Sequence, residues 1–440
     1  VSLTESAVRA ISKDKNEPEW MLNLRLSSLR LFNKAPLPAW QVPDLHSLDF
    51  DSIDYYNPQK VRAKKWGEVP SYMRRIYEKM GIPEAERNIL SGSIAQYQSE
   101  SIYENLKREW EERGVIFCSM DEAVKRYPSL VKKHFARCVP ISDNKFTLLH
   151  YAVWSGGSFL YVPRGVKVNM PVQTYFYMKE KREGQFEHTI IVAEEGAGVH
   201  YIEGCTAPIY DENSLHSAAV EVYAGRGSHV RYTTVQNWSK NIYNLNTKRA
   251  WVDENALMEW VGGSLGAKVS MLYPSSILKG SGARANHMAI TLAADGTIKE
   301  GGAKVIHAAP NTHSSIISKG ISIGSGYGVY RGLVKINKGA VNSTANVRCD
   351  SLLIDEQSKS DTYPYSHIEE TDGVSFTHEA TAGRISEEQL AYLMSRGMSE
   401  QEAMMMYVTG FIEPVLREVP LEYMIELNRF IQLEMEGSVG

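Results

Sequence analysis

Hydrophobic and polar positions divide the chain into three stretches of different period. Between Pro18 and Phe32, Trp20, Leu22, Leu24, Leu26 and Leu29 give a helical run, and Pro36, Pro38 and Pro43 then stop any helix. From Glu84 to Gly114, Ile94, Tyr97, Ile102, Leu106 and Trp110 recur at three to five residues, which predicts a helix ending before Gly114. Asp121 to Phe135 predicts another helix, interrupted at Pro128. Cys118 and Cys138 flank it and read as buried small hydrophobes.

The period changes at about Thr147 and stays changed to Phe376. Short β-prone runs such as Phe159-Leu160-Tyr161-Val162, Thr189-Ile190-Ile191-Val192 and Val220-Glu221-Val222-Tyr223 alternate with glycine turns. The tetrapeptide Gly-Ala-Lys-Val occurs at 266–269 and again at 302–305. No helical pattern of useful length intervenes, which argues against βαβ crossovers. A long series of short strands with small, repetitive turns fits a stacked solenoid better than a β-sandwich or closed barrel.

The last stretch returns to helix. Ser386 with Gln389 and Ser399 with Glu402 match capping boxes, and Gly397 and Gly410 stand where C′ glycines would end the two helices. Leu390, Leu393 and Met394 stripe the first helix, Met404, Met405 and Val408 the second, and a third is predicted after Pro420. These stripes serve equally to close the β domain or to face a partner, since thioethers adapt to irregular surfaces. The division expected is 1–140 mostly helical, 141–380 β and 381–440 helical.

Composition narrows the function. At 440 residues with 43% hydrophobic and 23% charged content, the chain can bury a large core. A net charge of -4 offers no basic excess for a phosphate backbone, so nucleic acid is a poor partner. The longest apolar runs, such as Ala403 to Val408, are too short to span a bilayer, and Val1 to Ser6 is polar and acidic rather than a secretion signal. Four cysteines in so long a chain do not make a disulfide framework, and a reducing cytoplasm is expected.

Two of those cysteines carry the candidate chemistry. In Val199-His200-Tyr201-Ile202-Glu203-Gly204-Cys205, a strand would put Tyr201, Glu203 and Cys205 on one face. A carboxylate does not activate a thiol, so a cation is needed, and Lys248 or Arg249 could supply it. Thr234, Gln236 and Trp238 share a face of the next run, where a polar passage and an ordinary hydrogen-bond ladder explain them equally well. Cys349, with His378 or Glu379, would anchor part of an iron–sulfur cluster while leaving positions for other ligands. His307 and His313 read as turn residues. The chain has no His-Glu-x-x-His, Cys-x-x-Cys, nucleophile elbow or P-loop, so any nucleotide energy must come from another subunit.

Three segments, 201–208 with Cys205, 234–238 with Gln236 and Trp238, and 303–312 with His307, closely resemble the SufB/SufD family of the SUF iron–sulfur cluster assembly system, on its SufB branch. Tyr330 to Val334, Val347 to Asp350, Ser360 to Tyr365 and Met435 to Gly437 extend the resemblance, which runs nearly from end to end. It implies a right-handed parallel β-helix between helical N- and C-terminal domains. It implies a scaffold and transfer protein rather than an enzyme, assembled with SufD or a second SufB and with two copies of the ATPase SufC docked on the C-terminal helices. By resemblance Cys205 accepts persulfide sulfur from a SufS/SufE-type donor through an exposed thiolate, and Gln236, Trp238 and Lys248 line the route. Cys349, Glu379 and His378 then hold the nascent cluster at the seam between scaffold subunits. Whether that cluster is [2Fe-2S] or [4Fe-4S], and whether reduced flavin supplies electrons, stays open. Tyr177 stands where some members carry arginine, and the link from Trp238 to Ile242 is shorter than in some relatives. A SufD-like structural partner and a β-helix carbohydrate-processing enzyme are the alternatives; the first needs neither cysteine, the second needs clustered acids and export.

Overall fold

The computed structural model describes residues 3–57, 66–69, 71, 74, 90–97, 100–178, 184–206, 214–418, 424, 431 and 432. The helix expected after Pro420 lies outside them apart from isolated positions. The β region is a parallel solenoid built from a ten-stranded and a thirteen-stranded sheet. Antiparallel pairing occurs at the first end, where Gly92–Tyr97 meets Glu100–Leu106 and Ile116–Ser119 meets Ser158–Val162. One coil takes from 26 residues, Arg249 to Ser275, to 32, Tyr327 to Lys359. The turns demand left-handed backbone at fixed places. Gly266, at φ +61°, is one, and a Cβ there would lie 1.5 Å from the carbonyl oxygen of Trp238.

Because strand side chains alternate, each coil turns one set of residues inward and leaves the other to be covered from outside. Inside, Val172, Tyr201, Val230, Tyr232, Met258 and Trp260 join one continuous core with Val222, Ala250 and Val305 of the other sheet. Outside, the N-terminal helices Glu5–Asp14 and Glu19–Phe32 pack with helix Lys145–Val153 against Leu215, Tyr243 and Leu245. At the other end, Val408, Ile412 and Val415 of helix Glu400–Leu416 cover Leu265, Ile290, Ile321 and Leu352. Strands Lys359–Ile368 and Ser375–Arg384 form the last coil, and each has a partner strand on one side only among the described residues.

Three expectations are corrected. Described residues within Glu84 to Gly114 form the strand pair Gly92–Tyr97 and Glu100–Leu106, with only Arg108–Glu111 helical. Ser93, Ile94, Ala95 and Gln96 are buried against strand Val172–Tyr177, and that pairing overrides a helical spacing of apolar residues. Helix Lys145–Val153 was not foreseen, because residues 146–153 are all buried and carry no polar stripe. Gly410 does not end its helix, which continues to Leu416 because Ile412, Val415 and Leu416 extend the buried face. Elsewhere the punctuation matches: Pro128 begins a second helix, Pro128–His134, and Gly397, at φ +96°, follows helix Glu387–Ser395. Both C-terminal helices begin on the expected capping boxes.

Candidate functional site

Inward positions of the ten-stranded sheet stack in register from coil to coil. One column is aromatic: Tyr201, Tyr232 and Trp260 stack with ring centroids 5.2 and 5.0 Å apart, followed by His287. The next two columns are small and polar. Glu203, Thr234, Gly262, Ala289, Ser318 and Cys349 form one, and Cys205, Gln236, Ser264, Thr291, Gly320 and Ser351 the other. The two cysteines therefore stand in neighbouring columns, five strand steps apart, or about 24 Å at roughly 4.8 Å per step. An internal cavity of about 70 Å³ lies along these columns, bounded by Thr234, Gln236, Lys248, Ser264 and Thr291. A smaller void of about 10 Å³ reaches Cys349, and both voids touch Thr291, Ser318 and Tyr330.

Cys205 is not exposed, contrary to expectation. It is 3% accessible and sits among Phe176, Met178, Trp238 and Ile242. Its Sγ lies 3.7 Å from Glu203 Oε1, to which the thiol donates. Burial pushes the thiol well above its ordinary range, and the Glu203 and Glu187 carboxylates push it further, while Lys248 opposes them. Lys248 Nζ is 2.9 Å from Glu203 Oε1, whereas Arg249 pairs with Asp143 and plays no part. The Tyr232 hydroxyl donates to Glu203 Oε2, and Thr234 Oγ1 donates to Oε1 at 3.1 Å. Burial alone would raise the Glu203 carboxyl, but the Lys248 ammonium and the Tyr232 hydrogen bond hold it below its usual value. Gln236 Nε2 and Trp238 Nε1 are buried donors without an acceptor among the described residues, and Trp238 packs with its ring centroid 4.5 Å from that of His216. Tyr177 has the opposite parity to Phe176, the residue paired with Cys205, so the position that departs from some relatives faces away from the thiol.

Cys349 lies at the far end, on the penultimate coil. Its Sγ is 3.2 Å from His378 Nε2. Burial, then the Asp350 carboxylate, pushes its thiol up to about 11, and burial lowers His378, which leaves a neutral imidazole beside it. Glu379 presents its backbone carbonyl, 3.8 Å from Sγ. Its side chain has the parity of Arg348 rather than Cys349 and is exposed. Among the described residues no three His, Cys, Asp or Glu side chains converge to hold a metal ion. Asp350, on the outer face, takes Lys319, Arg348 and Thr381.

The residues that sequence reasoning underrated are those that complete the polar cluster. Glu203 shares a strand face with Cys205, but its partners Tyr232 and Lys248 come from other strands, 29 and 45 residues on. His216 donates to Glu187 at 2.6 Å; burial lowers the imidazole, yet Glu187, with Asn244 and Glu203, outweighs it and the net shift is upward. Nothing local in Ser214-Leu215-His216 signals that ion pair.

Two sequence models of one family cover most of the chain. The one described as SufBD protein N-terminal region matches residues 86–174, and the one described as SUF system FeS cluster assembly, SufBD core domain, matches residues 176–411. Iron–sulfur cluster assembly SufBD family proteins of Staphylococcus aureus strains MRSA252 and USA300 are each 52% identical over 439 residues, spanning 100% of this chain and 94% of theirs. A protein of that name from Staphylococcus haemolyticus strain JCSC1435 is similar to the same extent, 52% over 439 residues. Among the described residues no helix is long and apolar enough to cross a membrane. This parallel solenoid with two polar columns inside an apolar core, matched over its whole length by such relatives, belongs to the SufBD family of the SUF iron–sulfur cluster assembly system.

Proposed function

We propose that this chain is the SufB-type scaffold on which iron–sulfur clusters are first assembled. The observation that carries the reading is the pair of small, polar columns joining Cys205 to Cys349 inside the solenoid. A purely structural SufD-like subunit needs neither the two thiols nor an interior kept free of bulky side chains between them.

Cys205 accepts sulfur from a persulfide donor of the SufS/SufE type. Its sulfur attacks the donor's outer sulfur, a new S–S bond forms, the donor's S–S bond breaks, and the donor leaves as thiolate. Burial calls for an opening motion before that attack. Gln236 and Lys248 line the first part of the route and Trp238 packs beside Cys205 at its start, where buried donors suit an anionic sulfur species. Cys349 and His378 hold the nascent cluster, and Glu379 joins them by turning its carboxylate at the open end of the solenoid.

The unpaired edges of the last coil favour a seam with SufD or a second SufB, since ten-residue strands with one free edge are templates for pairing. The 381–440 segment docks SufC, two copies per complex. Exposed Tyr392, Met394 and Met406 on its helices supply an adaptable apolar surface. Anaerobic reconstitution with absorption spectra and iron analysis tests the assignment. The Cys349→Ala variant loses the cluster bands, and full cluster content in that variant overturns the reading.

A further inference from the structure

We propose that Glu203 is a positioning residue that keeps Cys205 a protonated thiol until sulfur transfer, by accepting its S–H and by engaging the ammonium of Lys248. The inference rests on the reading of Cys205 as sulfur acceptor. Geometry carries it. Glu203 is 2% accessible, and its carboxylate is shared among the Cys205 thiol, Lys248 Nζ at 2.9 Å, Thr234 Oγ1 at 3.1 Å and the Tyr232 hydroxyl. Lys248 in turn has two partners, Glu203 and the Tyr232 oxygen at 3.0 Å, so its charge is committed away from the sulfur.

The charged and titratable groups around this carboxylate come from four strands and from Glu187, which lies just before strand His188–Ala193. Lys248 and Tyr232 touch it, Tyr201 stacks on Tyr232, and His216 with Glu187 forms the neighbouring ion pair behind Trp238. An isolated carboxylate or thiolate here would be costly, but the cluster offers an exchange that leaves its net charge unchanged. The thiol proton passes to Glu203 Oε1, its hydrogen-bond acceptor. The carboxyl, now neutral, releases Lys248, and the ammonium pairs with the sulfur instead. The thiolate then attacks the outer sulfur of a protonated persulfide. One S–S bond forms and one breaks, and the electron pair leaves on the donor sulfur, which takes back the proton from Glu203. At rest the thiol is guarded from oxidants and electrophiles; it is armed only when Lys248 changes partner.

A merely structural carboxylate and this guard respond differently to substitution. In the full chain, the alkylation of Cys205 by iodoacetamide is followed peptide by peptide against pH. Glu203→Gln leaves Lys248 without its counter-ion, so the inflection moves to lower pH and the rate at neutral pH rises at least about tenfold. Lys248→Gln leaves the carboxylate facing the thiol and produces no rise. The double variant returns toward the wild-type profile. Glu203→Asp, which withdraws the carboxylate but keeps its charge, gives a rise of about threefold and serves if Glu203→Gln does not fold. An unshifted inflection in both Glu203 variants, or equal acceleration in the Lys248 variant, overturns the inference. A parallel incubation with glutathione persulfide, scored by the gain of one sulfur on the Cys205 peptide, separates the two claims. If the alkylation profile shifts as stated while Cys205 never takes up sulfur, the guard stands and the acceptor role falls.

Discussion

Ser264 offers the most direct test of the interior columns. It stands between Gln236 and Thr291, lines the 70 Å³ cavity, and its hydroxyl has no hydrogen-bond partner among the described residues. Ser264→Val exchanges that hydroxyl for methyl groups inside the passage. Two added carbons stabilise by roughly 0.8 kcal/mol each, and removing an unpaired buried hydroxyl contributes about 1 to 3 kcal/mol. Crowding a filled interior costs about 1 to 3 kcal/mol in opposition, lessened here by the space already present. The sum favours the variant by about 1 to 3 kcal/mol, so the melting temperature is expected to hold or rise by a few degrees and not to fall. Passage of sulfur, on the proposed reading, is a different matter, because the valine occupies the lane itself. Cluster formation at Cys349 from persulfide loaded on Cys205 is expected to fall at least about tenfold, an added barrier of roughly 1.4 kcal/mol or more. Formation from free sulfide and iron, which need not enter at Cys205, should stay at the wild-type level. Wild-type yield from loaded persulfide in a folded Ser264→Val protein would refute the argument that these columns conduct sulfur.

Gly410 lies exposed inside helix Glu400–Leu416 with open space where a Cβ would go, so Gly410→Ala should stabilise by about 0.5 to 1 kcal/mol in urea titrations. Burial lowers His200 to about 4, His287 to about 3 and His307 to about 4. Each is neutral when folded and charges near 6.5 when unfolded, so stability is full above that value and declines as pH falls through it, by up to about 1.4 kcal/mol per unit for each histidine. A urea midpoint constant from pH 7 to pH 5 would contradict this. Replacing Glu203 and Lys248 together by methionine should retain the fold, because a buried ion pair exchanged for apolar groups of similar volume is near neutral, whereas Lys248→Met alone strands a carboxylate and should cost about 3 to 5 kcal/mol. Chemical denaturation of the two variants decides it.

The solenoid was legible because its signal is repeated: every coil restates alternating apolar residues and a glycine turn, so local errors do not accumulate. The capping boxes at Ser386 and Ser399 were legible for the opposite reason, being complete within four residues. What failed was the edge. The strand Gly92–Tyr97 carries apolar residues at a spacing that also fits a helix, and only its pairing with Val172–Tyr177 decides between the two. The cysteines could be picked out by type, but not their burial. Nothing in Glu203-Gly204-Cys205 tells that the carboxylate will be claimed by Lys248, because that contact depends on how far the chain travels around the solenoid before it returns.

That dependence also explains why this architecture suits the handling of a single reactive atom. In a globular core, a lane of about 24 Å would have to be assembled from unrelated segments, each packed for its own reasons. In a solenoid, one position per coil defines a column, and a column can be kept small and polar while its neighbour remains an aromatic ladder that holds the coils together. Between Cys205 and Cys349 those two columns contain no further thiol. On the proposed reading, a two-electron reductant such as a thiol must therefore cleave the Cys205 persulfide, returning the cysteine thiolate and releasing hydrosulfide, which then travels unattached to the chain. The unpaired Gln236 and Trp238 donors and the ammonium of Lys248 stand at the start of that path, where an anion is released and must not return.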